Sequence, residues 1–165
     1  MRSTRDRPPS LAEILPELLI GEYPRLEDIE WLKRTHAITA VHNLQDDDDL
    51  RLYGVDLRSL IEAYQRASLM MVRTPIPDGS AGQFALHLER ALGDLKKLTD
   101  AGERVYVHCN AGMNRAPTLA IAFLRAHRGM TLDEAMAHVK QRRACGPFMT
   151  VLEEYFGPRG GKSDK

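Results

Sequence analysis

Val105-Tyr-Val-His-Cys-Asn-Ala-Gly-Met-Asn-Arg-Ala-Pro-Thr118, followed by Leu119-Ala-Ile-Ala-Phe-Leu124, is the stretch on which the reading of the fold turns. Val105 to Val107 is short and β-prone, which predicts a strand. Ala116 to Arg128 is nearly all apolar and predicts a buried helix. Pro117 falls in its first turn, where a missing N–H costs nothing, and Gly129 caps it. Between strand and helix lie His108, Cys109, a Gly-containing loop and Arg115. A strand that passes through a short loop into a helix is a βα unit, and it predicts an α/β layer fold with a largely parallel sheet.

The same junction has the parts of an anion cradle. Backbone amides of Asn110, Ala111, Gly112, Met113 and Asn114 can curl into a nest, with Gly112 permitting a turn forbidden to other residues. The helix that follows presents its positive N-terminal end to the same spot. Arg115 supplies a planar fork matched to two phosphate oxygens, which Lys could not imitate. This positive setting favours the thiolate of Cys109, a nucleophile. His108 is expected to support the loop by hydrogen bonding. Cys-x5-Arg alone arises by chance readily in an arginine-rich chain, so its place at a strand–helix junction carries the weight.

Outward from the loop, strands and helices alternate. Leu18 to Ile20 predicts a buried strand, Leu26 to Arg34 a helix, and Ala37 to Leu44 a central strand. The acidic run Asp46 to Asp49 lacks the alternation and glycine of a calcium loop, so it is read as a solvated turn. Asp56 caps a helix expected through Ala67, and Leu69 to Val72 forms the next strand. Thr74-Pro-Ile-Pro-Asp-Gly79 must be a loop, because its prolines cannot donate to a ladder. Gln83 to Thr99 carries apolar residues at helical spacing. Thr131-Leu-Asp-Glu134 is a capping box that opens a helix to about Arg143, and a short helix is expected over Thr150 to Phe156. Residues 1–14 read as a flexible leader, 15–157 as a single catalytic domain and 158–165 as a disordered tail.

Composition excludes some classes. The chain has 165 residues, of which 43% are apolar, enough for one domain with a sizeable core. Lys+Arg and Asp+Glu are equal at 23 each, so bulk charge favours neither nucleic acid nor membrane as partner. No apolar run approaches the ~20 residues of a bilayer span, and the first residues lack the apolar stretch of a secretory signal. The expectation is a cytoplasmic monomer. The two cysteines, Cys109 and Cys145, make no disulfide framework, and Cys145 is read as a structural thiol. No cluster has metal-ligand spacing, and the chemistry calls for neither metal nor cofactor.

Departure of an alkoxide from phosphorus needs a proton, and Asp78 is the natural donor. It follows a predicted parallel strand at the sheet edge where the Cys109 loop opens. The chemistry implied has two steps: attack by Cys109 with protonation by Asp78, then water attack on the phosphocysteine.

These residues resemble the dual-specificity phosphatases of the cysteine-dependent superfamily, and imply their fold, a central, mostly parallel sheet flanked by helices. More narrowly, the chain is similar from about Leu15 to about Pro147 to the catalytic domain of the plant starch-excess and like-starch-excess glucan phosphatases. The likeness rests on Leu19-Ile-Gly21, Val41-His-Asn-Leu-Gln45, Tyr53-Gly-Val-Asp56, Val105 to Cys109, Ala111-Gly112, Arg115-Ala-Pro117 and Arg143-Ala-Cys-Gly-Pro147. Most dual-specificity phosphatases place Ser or Thr after the arginine, whereas glucan phosphatases often have the Ala116-Pro117 step. The resemblance therefore implies a phosphorylated glucan or other phospho-carbohydrate as substrate. Tyr53 and Phe148, with Tyr23 and Tyr64 behind them, are the candidate sugar platforms. Two positions depart from the pattern. Asn114 stands where the family has glycine, and Gly79-Ser80 follows Asp78 where the family is usually aromatic.

Four other readings stand beside this one. The same chemistry serves a phosphoprotein phosphatase acting on phosphotyrosine or phosphoserine/threonine. A phosphoinositide enzyme would be expected to carry Lys or Arg inside the loop, where this chain has neutral Asn110, Met113 and Asn114. A rhodanese-like sulfurtransferase also uses a Cys loop before a helix but has no need of Asp78. An inactive phosphate- or glycan-binding module is disfavoured by intact Cys109, Arg115 and Asp78.

Overall fold

Strand β5 (Val105–His108) is buried along its whole length, with Val105 and Val107 in one apolar cluster and Tyr106 in another. Period-two alternation places those residues on opposite faces, so the strand is covered on both sides. In the computed structural model, which describes residues 5–161, β5 is central in a five-stranded sheet of order β1-β2-β5-β3-β4. Its neighbours are β2 (Leu18–Gly21) and β3 (Ala40–Asn43), both parallel to it, and β4 (Met70–Arg73) continues the parallel run from β3. One face packs against α4 (Ala81–Asp100), α5 (Arg115–His127), α6 (Leu132–Arg142) and α7 (Met149–Phe156). The other is covered by α1 (Ile29–His36) and α3 (Leu57–Arg66).

The expected α/β fold with a mostly parallel sheet is present, and the differences are local. Strand β1 (Leu11–Leu15) pairs antiparallel with β2, which makes the sheet mixed. Its sequence, Leu-Ala-Glu-Ile-Leu, is apolar but for Glu13, yet only Ile14 of the five is buried, which fits an edge strand with one wet face.

The expected leader is therefore corrected from residue 5 onward. Arg5 forms ion pairs with Glu22 and Asp28, each at 3.1 Å, and stacks over the Tyr23 ring. The expected tail docks in part: the Asp133 amide donates to the Arg159 carbonyl at 3.1 Å. Residues 1–4 and 162–165 of those two segments lie outside the described residues.

The second correction concerns the acidic run. Asp47 to Leu52 is a helix, α2, capped by Asp46, whose carboxylate accepts from the Asp49 amide while Asp49 accepts from the Asp46 amide. This reciprocal box turns consecutive aspartates into a helix start, since early carboxylates suit its positive end. It also points Asp49 inward.

Three strand ends then converge at one sheet edge. Leu44, just past β3, donates to the His108 carbonyl at 3.0 Å, and Ile76 donates to the Leu44 carbonyl at 3.0 Å. The loops after β3, β4 and β5 are thereby tied side by side, at the edge where open α/β sheets place their sites.

Candidate active site

Cys109 follows β5 directly and is 2% exposed, and Arg115 opens α5 at 1% exposed. The loop between them is held by its carbonyls. Asn110 O accepts from the Tyr23 amide (3.0 Å) and Met113 O from the Gly146 amide (2.8 Å). Asn114 O accepts from the Thr118 hydroxyl (2.6 Å) and amide (3.0 Å). Ala111 O and Gly112 O both accept from the Arg143 guanidinium. A peptide plane points its N–H opposite to its C=O, so carbonyls drawn outward leave the amides facing the hollow. Gly112 makes the curl possible with φ of 69°. A Cβ there would also lie 2.5 Å from the Gly21 carbonyl carbon, so the loop presses directly on the end of β2.

Asn114 does not use the positive φ open to it. Its backbone sits at φ −125°, and its side-chain amide donates outward to the Gly146 carbonyl at 2.7 Å. The polar side chain at the family's glycine position is thus turned out of the hollow.

Arg115 is gripped on one side. Its Nη1 donates to Asp49 Oδ2 at 2.6 Å and to the Ile76 carbonyl at 2.7 Å, while Nη2 lies 3.4 Å from Asp78 Oδ1. Nε has no protein partner, so the Nε–Nη2 edge, where only exposed Asp78 stands near Nη2, is the side of the fork that could take an oxyanion. Burial opposes the charge on Arg115, but Asp49, Cys109 and Asp78 around it raise its pKa. Burial likewise works against ionised Asp49, yet hydrogen bonds from Arg115 and Asn110 outweigh it and hold the carboxyl below its ordinary range. Asn110 Nδ2 donates to Asp49 Oδ1 at 2.8 Å, and Gln45 Nε2 donates to Asn110 Oδ1 at 2.8 Å, which closes a buried network behind the loop.

Asp78 projects from the loop after β4 with its side chain 52% exposed, at the rim beside Arg115. The loop beneath it is fixed. Ile76 is fully buried, and the Thr74 hydroxyl donates to Asp94 Oδ2 at 2.7 Å while accepting from His42 Nε2 at 2.8 Å. His108 Nδ1 lies 3.1 Å from the Cys109 carbonyl, which can only accept, so the ring is the Nδ1–H tautomer. Burial lowers His108 to about 4 against the pull of that hydrogen bond, with His42 and Arg115 adding to the fall. The ring is neutral and buried beneath the loop.

The structure brings together Cys109, Asn110, Ala111, Gly112, Met113, Asn114, Arg115 and Asp78, with His108 beneath. The aromatic candidates divide. Tyr53 lies near the same charges, since Asp49 and Asp78 help raise its pKa behind the larger effect of burial. It packs on Tyr23 with ring centroids 4.7 Å apart, and the two line a cleft of about 430 Å³. Phe148 sits against Phe84 of the core at 5.8 Å. Tyr64 is corrected from platform to core residue, being 1% exposed.

Cys145 is half-buried against the apolar core. Sequence reasoning missed Asp49 and gave Arg143 no task of its own. The capping-box pattern at Asp46 and Asp49 was the one available signal for the former. Among the described residues no group of acidic, His or Cys side chains could hold a metal ion.

The family model described as the dual specificity phosphatase catalytic domain matches residues 18–155. The chain is 29% identical over 143 residues to the amyloplastic phosphoglucan phosphatase DSP4 of Castanea sativa, covering 85% of this chain and 38% of that protein. It is 31% identical over 131 residues to the dual specificity protein phosphatase 2 of Homo sapiens, covering 79% of this chain and 37% of that protein. The chain thus spans less than two fifths of the length of these curated relatives. Among solved structures, Tk-PTP in its active form superposes with a TM-score of 0.74 at 26% identity, covering 88% of this chain and 95% of that one.

Proposed function

The chain belongs to the dual specificity phosphatase catalytic-domain family, and on that premise we propose that it hydrolyses phosphate monoesters through a phosphocysteine at Cys109. In the first step the Cys109 sulfur forms a bond to phosphorus as the ester P–O bond breaks. Asp78, entering as the carboxylic acid, gives its proton to the departing oxygen. In the second step water forms a new P–O bond and the S–P bond breaks. The Asp78 carboxylate takes the water proton, and inorganic phosphate and the thiolate are released. Arg115 and the loop amides hold the equatorial oxygens throughout and gain most where charge spreads over them. The observation that carries this reading is the approach of Asp78 to Arg115, 3.4 Å at the rim of a loop whose carbonyls all point away.

The substrate proposed is a phosphorylated glucan or other phospho-carbohydrate. Ala116-Pro117, the Arg143-Ala-Cys-Gly-Pro147 ending and half-buried Tyr53 support it, since an aromatic face suits a sugar ring, whereas Tyr23 behind it is buried at 5% exposure. Neutral Asn110, Met113 and Asn114 speak against a highly charged inositol head group. A phosphoprotein substrate is the second reading, favoured by the likeness to a human enzyme named as a protein phosphatase. The proposed enzyme works without metal or cofactor, as a monomer in the cytoplasm. Among the described residues, no helix is long and apolar enough to cross a membrane.

Phosphate release from solubilised amylopectin, set against a panel of phosphopeptides under the same conditions, tests the substrate. Release from amylopectin should dominate, and a wide margin for phosphopeptides refutes the glucan reading. Hydrolysis of p-nitrophenyl phosphate should vanish in Cys109→Ser. If it persists, Cys109 is not the nucleophile.

A further inference from the structure

In an extended chain successive carbonyls point to opposite sides, yet Ala111 O and Gly112 O both meet one guanidinium. Arg143 Nη2 donates to Ala111 O at 2.9 Å and Nε donates to Gly112 O at 2.8 Å. The left-handed φ of Gly112, 69°, brings the two carbonyls to the same side. Its partner is the Nε–Nη2 edge, whose N–H groups run parallel and suit two adjacent acceptors. The remaining bond of Arg143, from Nη1 to Ser10 Oγ at 2.9 Å, ties the fork to the segment that leads into β1.

From this we infer that Arg143 is a positioning residue of the phosphate loop, its fork setting the two peptide planes that aim the Gly112 and Met113 amides at the oxyanion. The inference rests on the reading of the Cys109 loop as a phosphate cradle. Arg143 closes α6 with an extended backbone (φ −150°, ψ 125°), so its side chain leaves a helix that is itself packed against α5 and β1. The fork is therefore held from a rigid element. The chain continues the same task three residues later, where the Gly146 amide takes Met113 O and the Gly146 carbonyl takes the Asn114 side chain. The segment from Arg143 to Gly146 thus forms the back wall of the nest.

Two physical effects follow. Each carbonyl drawn back fixes the N–H on its own peptide plane toward the hollow, so the amides are aimed before the anion arrives. The cation also lies against carbonyl oxygens that would otherwise repel one another. A lysine would keep the charge but, as a point donor, could not hold both oxygens in one plane.

Arg143→Lys and Arg143→Met in the full chain test this, with tungstate affinity by calorimetry, p-nitrophenyl phosphate kinetics and a thermal melt measured together. Both variants should bind tungstate about tenfold more weakly, with a parallel rise in KM, although lysine retains the charge. Ser10→Ala, which removes only the tie outside the loop, should stay within about twofold of wild type. Wild-type tungstate affinity in both Arg143 variants overturns the inference. So does a lowered melting temperature with tungstate binding intact, which would make Arg143 a merely structural residue. Should Arg143→Met fail to fold, Arg143→Lys decides alone. Activity that survives Cys109→Ser is a separate failure, of the nucleophile assignment, and leaves the tungstate comparison readable.

Discussion

Asp49 Oδ2 lies 2.6 Å from Arg115 Nη1, and the two side chains are 5% and 1% exposed. An acidic group sealed beside the cation of the proposed anion site looks counterproductive, because it subtracts positive potential. It also removes the freedom of a long side chain, so under the proposed function the guanidinium would meet a phosphate already oriented. The second carboxylate oxygen takes Asn110 of the loop itself, so one residue sets both fork and loop.

Asp49→Ala should leave Arg115 buried without its counter-charge, a loss of about 3 kcal/mol or more. Urea denaturation should report it, with kcat/KM on p-nitrophenyl phosphate falling at least about tenfold. Asp49→Asn, which keeps an acceptor in place, should fall between alanine and wild type. Wild-type stability in Asp49→Ala would mean that the pair contributes nothing.

Asp78→Asn separates leaving groups. A sugar phosphate leaves as a poor alkoxide and needs the proton, so its turnover should drop by roughly 10² or more. An activated aryl phosphate leaves more easily and should lose much less. Equal losses on both substrates would remove Asp78 from the role of general acid.

Gly112→Ala combines a strained φ with a Cβ placed 2.5 Å from the backbone of Gly21. The expected result is a destabilisation of roughly 2 kcal/mol and loss of tungstate binding at micromolar concentration. A crystal structure of the variant should show the loop carbonyls turned inward. An unchanged loop with wild-type affinity contradicts the account.

Stability should fall with acid well above the carboxylate range. His42 and His108 are pushed by burial from 6.5 to about 4, so the unfolded chain takes up protons in that interval and the folded chain does not. Their contribution is complete above pH 6.5 and is lost as pH falls toward 4, by about 1.4 kcal/mol per unit for each ring. His36 and His127, also lowered by burial first of all, act in the same direction. Asp49 and Glu22, whose pKa values are lowered, keep their contributions until pH falls to the ordinary carboxylate value and lose them from there downward. Urea midpoints at pH 7 and pH 5 should therefore differ markedly, and a flat profile between them refutes the assignment of neutral buried rings.

Much of the grouping of residues at the candidate site was legible because it is local. Asn110 to Asn114 needed only a strand end, a glycine and a helix start, and Asp78 needed only its place after a parallel strand. Asp49 was illegible for the opposite reason. Four successive aspartates read as a solvated turn, and only the packing of α2 under the loops turns one of the four inward. Strand β1 escaped because Glu13 interrupts it, leaving no continuous apolar run of the kind that marks a buried strand. Phe148 and Tyr64 have the right chemistry for a platform, but which way an aromatic faces is decided by neighbours distant in the chain.

What the amino-acid order determined by itself was the βα unit and the residue types that it carries. Cys109 and Arg115 sit at opposite ends of one short loop, and backbone sterics bring them to one hollow. Tertiary structure alone decided how that hollow is held. Asp49 reaches Arg115 across 66 residues of chain, and Arg143 reaches Gly112 across 31. Contacts of that separation depend on the sheet order and on where α2 and α6 end, and no local pattern encodes either.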